Sequence, residues 1–287
     1  MKFCKLDASL CPLKKIMPTV RALARTQQMK LYFQEAFMSA KIMSGICFAM
    51  LLAGCGGGGD DIKFTPDPKP APNLPSPNPQ PGKNVYRHVS SYNVNQRAFG
   101  GSTSNNAASM DTLNFNGVEL PLIIEGMKPG RLANVDNLTL GGTSYKKFVS
   151  GLTRGSNARY GALTYQGNNI VFHQGHLTTN MPTQGTAEYV GDVVHVNNAN
   201  NEYSNGILFA HANFADKKLK LDFTKPGEQS NFVPRSLDAA IDGNKFTGKT
   251  NETTVNGAFY GDNAKDIAGH YANPTENFQG AFGGSQR

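Results

Sequence analysis

An all-β protein is predicted for the ordered part of this chain, and three observations carry that reading. From Val85 onward no long segment keeps a helical period; short alternating runs bounded by Gly, Asn and Asp recur instead, as strands and hairpins require. Their close spacing points to a sandwich or an up-and-down barrel. The roughly 200 residues involved can bury a sizeable core without covalent staples. None of them is cysteine: all 4 cysteines, Cys4, Cys11, Cys47 and Cys55, lie in the first fifth of the 287 residues. Disulfides, thiolate metal sites and cysteine nucleophiles are therefore excluded from the globular region.

Taken in order, the first element is a leader, residues 1–54. It carries 8 Lys/Arg against 2 Asp/Glu, whereas residues 55–287 carry 20 against 19. The net charge of +7 and the pI near 9.2 thus belong to the leader, and no basic patch remains to read as a nucleic-acid footprint. Residues 42–53 form an apolar run of 12 behind Lys41, too short to span a bilayer but suited to a signal-peptide core. Leu52-Ala53-Gly54-Cys55 follows at once and looks like the lipobox of a bacterial lipoprotein signal, with Cys55 lipidated as the mature N-terminus. Acyl chains there would give stable membrane attachment, and Gly56 in place of an aspartate fits sorting to the outer membrane. Nearly forty residues precede the apolar run, so the start codon is open between Met1, Met29 and Met38.

Residues 55–84 read as a tether. Four glycines (56–59) lead into a stretch from Ile62 to Gly82 that holds 8 of the 16 prolines. Near-alternating proline keeps such a stretch in extended polyproline form, a semi-rigid stalk rising about 3.1 Å per residue. Strand candidates then follow at 112–115, 118–124, 138–140, 145–149, 160–165 and 170–172. They continue at 186–196, 206–214, 218–223, 239–248, 254–261, 268–271 and 278–283. Irregular polar stretches such as 101–109 mark the earlier part, and a boundary is expected between about 155 and 184.

The last hundred residues carry phrases with a family character. They are Gly185-Thr-Ala-Glu-Tyr-Val-Gly-Asp192, Ile241-Asp-Gly-Asn-Lys-Phe-Thr-Gly248, Val255-Asn-Gly-Ala-Phe-Tyr-Gly261, Ala264-Lys-Asp-Ile-Ala-Gly-His-Tyr271 and the closing Phe278-Gln-Gly-Ala-Phe-Gly-Gly284. This succession resembles the β-barrel domain of the transferrin-binding protein B superfamily, which includes the Slam-dependent surface lipoproteins. Ala158-Arg-Tyr-Gly161, Phe172-His-Gln-Gly175 and Met181-Pro-Thr-Gln-Gly185 look like its single-handle, single-barrel members, the haemophilin type. The resemblance implies an N-terminal β-rich handle, residues 85–156, ahead of a C-terminal eight-stranded antiparallel barrel, residues 157–287. It also implies a lipid-anchored place on the outer-membrane surface, export through a Slam-type protein, and a TonB-dependent receptor as a possible further partner. Phe259, Phe278 and Phe282 are expected inside the barrel, closing it.

No G-x-S-x-G, H-E-x-x-H, P-loop or dinucleotide glycine pattern occurs, so an enzyme is not expected, and neither is a resident metal or cofactor. Six histidines remain: His88, His173, His176, His195, His211 and His270. Neutral imidazole can ligate haem iron, and if haem is the transported ligand, His88, His173 and His176 are the candidates. His173 and His176 flank Gln174-Gly175, and positions three apart face opposite sides of a regular strand, so this pair needs a bend. Two functions are carried forward. One is capture of haem or an iron-bearing host protein, haemoglobin or transferrin, for nutrient acquisition. The other is an adhesin that binds a host complement regulator for immune evasion.

Overall fold

The computed structural model describes residues 84–287; the leader, Cys55 and the tether to residue 83 lie outside them. Among the described residues the regular structure is all strand apart from one 3₁₀ turn, Asp262–Ala264. A six-stranded antiparallel sheet, the handle, has the order β2-β1-β8-β7-β6-β5. Its strands are β1 (Val85–Asn93), β2 (Ala98–Ala107), β5 (Arg131–Leu140), β6 (Thr143–Leu152), β7 (Ala158–Tyr165) and β8 (Asn168–Gly175). A separate hairpin, β3 (Thr112–Phe115) and β4 (Val118–Pro121), covers one face of that sheet. Leu113, Leu120 and Leu122 there pack on Phe148, Leu163 and Phe172, all six fully buried.

The second sheet closes on itself. It comprises β9 (Thr186–Asn197), β10 (Glu202–Asn213), β11 (Lys218–Thr224), β12 (Arg235–Asp242), β13 (Lys245–Thr250), β14 (Thr253–Tyr260), β15 (Asp266–Asn273) and β16 (Phe278–Gln286). Each strand pairs antiparallel with its neighbour, and β16 returns to β9 from Phe278↔Asn197 to Gln286↔Tyr189, which leaves no free edge. Period-two alternation explains the filling: Leu237, Ala239 and Ile241 of β12 point inward while the residues between them are exposed. Phe259, Phe278 and Phe282 lie in the same interior.

Large rings fit because glycines face them. Gly269 lies directly opposite Phe282, and a Cβ added there would sit 2.6 Å from that ring; Gly280 stands in the same relation to Tyr271. An aromatic laid over a cross-strand glycine fills a small barrel and fixes its register.

The start of the barrel differs from the sequence expectation. Residues 158–175 form β7 and β8, which pair with β6 and β1 in the handle sheet, so the barrel begins at Thr186 rather than at residue 157. The reason is two-sided burial: β7 and β8 are buried along nearly their whole length, with one face toward the handle core and the other toward the barrel wall. Their sequences therefore lack the in–out alternation that would set them apart from the barrel.

A histidine sits inside the barrel. His195 faces inward, 3.0 Å from the Tyr271 hydroxyl, with its ring 5.1 Å from Phe278. Burial, reinforced by the Arg235 charge, lowers its pKa to about 3. An unfolded histidine titrates near 6.5, so the unfolded state binds the proton first as pH drops. Stability from the neutral imidazole is complete above about pH 6.5 and is lost as pH falls toward about 3. His195→Gln is expected to flatten the acid limb of the stability curve by up to about 1.4 kcal/mol per pH unit in that window. Urea midpoints of both proteins across it provide the check, and parallel curves would contradict the prediction.

Candidate functional site

The handle sheet and the barrel wall meet along a seam, and the alternation of β1 and β8 decides what enters it. Tyr86, His88, Ser90 and Tyr92 of β1 turn toward the barrel, as do Val171 and His173 of β8. Val149, Ala162 and Val171 pack on Val194, Val196 and Ala281 from the barrel. Tyr160 lies over Gly283, where a side chain would collide with its ring. Asp266 anchors the end of the seam. Its buried carboxylate accepts from Thr153 Oγ1 (2.8 Å), Asn157 N (3.1 Å), Asn157 Nδ2 (2.8 Å) and Ser285 Oγ (2.5 Å).

Three imidazoles meet at the middle of this seam. His88 and His173 are direct cross-strand partners, their rings parallel within 9° at 5.6 Å. His270, on the outer face of β15, stacks 4.1 Å from His88 and 5.5 Å from His173. His173 is fully buried and Nδ1 lies 2.7 Å from the Tyr260 hydroxyl; His88 is half-buried with Nδ1 3.2 Å from Thr103 Oγ1. Burial penalises the imidazolium in all three. It lowers His88 to about 4, with the Lys245 charge adding to the effect, and holds His173 and His270 well below the usual histidine range. The three are therefore neutral at physiological pH.

The sequence-selected trio is thus brought together only in part. His88 and His173 touch, as their shared register dictates, but His176 does not join them. It follows β8, where its N–H donates to Asn157 O (3.0 Å) and its carbonyl accepts from Gly261 N (2.9 Å). It lines a cleft of about 680 Å³ with Met110, Asp111, Thr179 and Asp262. The third ring of the cluster is His270, which sequence reasoning left as a barrel residue. Its signal was parity: Ile267 and Tyr271 point inward, so His270 and Ala268 must point out, onto the seam.

Residues 181–286 match the family model for the C-lobe and N-lobe β-barrels of transferrin-binding protein B. The barrel of this chain is thus of the transferrin-binding protein B type. Among curated relatives, an uncharacterized protein of Haemophilus influenzae is 31% identical over 122 residues, covering 39% of this chain and 40% of that protein. The Neisserial heparin binding antigen of Neisseria meningitidis serogroup B is 30% identical over 131 residues, covering 43% and 27%. The chain therefore spans well under two thirds of either relative. Transferrin binding protein B of Neisseria meningitidis serogroup B shares the fold at a TM-score of 0.53 with 18% identity, over 70% of this chain and 43% of that one. A double mutant of the Haemophilus parasuis protein does so at 0.51 with 21% identity, over 70% and 45%.

Proposed function

We propose that this chain is a lipid-anchored protein of the outer-membrane surface that captures an iron-bearing host protein for nutrient acquisition. The observation that carries the reading is the transferrin-binding protein B-type barrel at 181–286, joined through a packed seam to a handle sheet. The handle offers the contact surface: Val118 and Ile123, 43% and 41% exposed, stand on and beside its β3–β4 hairpin. Apolar side chains ringed by polar ones are the usual anchors of a protein interface. Lipidation at Cys55, export through a Slam-type protein and hand-over to a TonB-dependent receptor complete the proposal.

Haem itself is the weaker ligand. His88 and His173 stack inside the packed seam, where a macrocycle would have to wedge handle from barrel. His176 lines a cleft that includes two carboxylates, Asp111 and Asp262, unlike the apolar pocket that haem prefers. Titrating the full chain with haemin is expected to give no stoichiometric Soret shift. A one-to-one shift that disappears in His176→Ala would restore haem as the ligand. For the anchor, Cys55→Ala is expected to abolish labelling by a lipid precursor and release the protein from membranes; unchanged labelling would remove Cys55 from the account.

A further inference from the structure

We propose that His88, His173 and His270 form a site for one transition-metal dication of the Zn²⁺ class, held across the seam between handle and barrel. One ligating nitrogen from each ring lies within 4.8 Å of those from the other two. The three come from β1, β8 and β15, so no local sequence spacing announces them. Two nitrogens, His173 Nε2 and His270 Nδ1, are buried without a hydrogen-bond partner, a condition that native proteins rarely tolerate without a reason. A metal ion supplies the missing partner.

The surroundings favour the metal-binding form. When the Nδ1–H groups of His173 and His88 donate to Tyr260 and Thr103, each ring is left with its lone pair on Nε2. Such outer partners orient metal-binding imidazoles in general. The cluster holds imidazoles alone, a donor set that suits Zn²⁺, Cu²⁺ or Ni²⁺ and not Ca²⁺ or Mg²⁺.

The rings must adjust to bind. Zn–N bonds of about 2.0–2.1 Å in a tetrahedron place ligating nitrogens about 3.3 Å apart. The cluster therefore closes by up to roughly 1.5 Å, and the rings turn out of their stack until their lone pairs converge. His88, half-buried, has the freedom to make most of that turn, and its open side leaves the fourth position to water. The bound ion would link two handle strands to one barrel strand.

The full, tag-free chain, stripped with a chelator and exposed to ZnCl₂ at neutral pH, provides the test. After gel filtration, elemental analysis is expected to find one Zn²⁺ per chain, and Co²⁺ in its place should show the intense visible bands of a tetrahedral site. Tyr260→Phe should weaken binding by about 10–100-fold, the usual cost of losing an outer partner. His88→Gln and His270→Gln should lose more, with the metal-free melting temperature of His88→Gln unchanged. Should His270→Gln fail to fold, the half-exposed His88→Gln decides alone. No zinc on the wild type, or undiminished zinc on His88→Gln, overturns the site and leaves the three rings as seam packing.

Discussion

Phe282→Ala is expected to remove about 3–5 kcal/mol of stability, the usual cost of emptying a large buried aromatic site. Phe282 is completely buried, stacks near Phe223 and Phe246 at 5.2 and 6.3 Å, and lies over Gly269. Collapse cannot refill the gap, because the residue opposite is a glycine with no side chain to move in. The loss also falls on β16, the strand that pairs with both β15 and β9 and closes the barrel. Against a typical total of about 5–15 kcal/mol, this is a large fraction. A urea midpoint equal to that of the wild type would mean that closure does not depend on this ring.

Asp266→Ala is the second large effect, and it falls on the seam. Alanine there leaves Asn157 N, Asn157 Nδ2 and Ser285 Oγ without their acceptor, and the Thr153 hydroxyl with the Ala158 carbonyl alone. Unmet buried donors cost about 1–3 kcal/mol each, so a loss of about 3 kcal/mol is expected after water reaches some of them. The signature is positional. Amide hydrogen exchange should accelerate at Thr153, Asn157 and His176, which join β6, β7 and the residues after β8 to the barrel end. Protection inside the barrel, at Leu221 or Val255, should change less. Uniform acceleration throughout would show that Asp266 supports global stability and not the handle–barrel joint.

Much of the barrel was legible because β10–β13 are buried on one face only. Alternation such as Leu237, Ala239, Ile241 is visible in any strand that has water on one side and a core on the other. The handle was less legible for the opposite reasons. β1 is buried nearly throughout, handle core on one face and barrel on the other, so it shows no alternation. β2 is an edge strand exposed on most positions, and its Gly-Gly-Ser-Thr-Ser-Asn-Asn run reads as irregular polar chain. Residues 239–248 look like one strand in the sequence, but Gly243 at φ 57° turns the chain into the β12–β13 hairpin. The histidine cluster was half legible. His88 and His173 carried an imidazole's chemistry in the sequence, but their meeting with His270 depends on the docking of two sheets, which no local pattern encodes.

Capture of an iron-bearing host protein is tested most directly by a pull-down from host serum and haemolysate on the immobilised full chain. The account predicts retention of an iron-bearing protein. It also predicts loss of that retention when Val118 and Ile123 are both replaced by glutamate, with the melting temperature unchanged. Val233→Glu, at a still more exposed residue between β11 and β12, should bind as the wild type does. Retention of no iron-bearing protein, or retention unaffected by the handle substitutions, would contradict the account. Recovery of a complement regulator in its place would establish the adhesin reading instead.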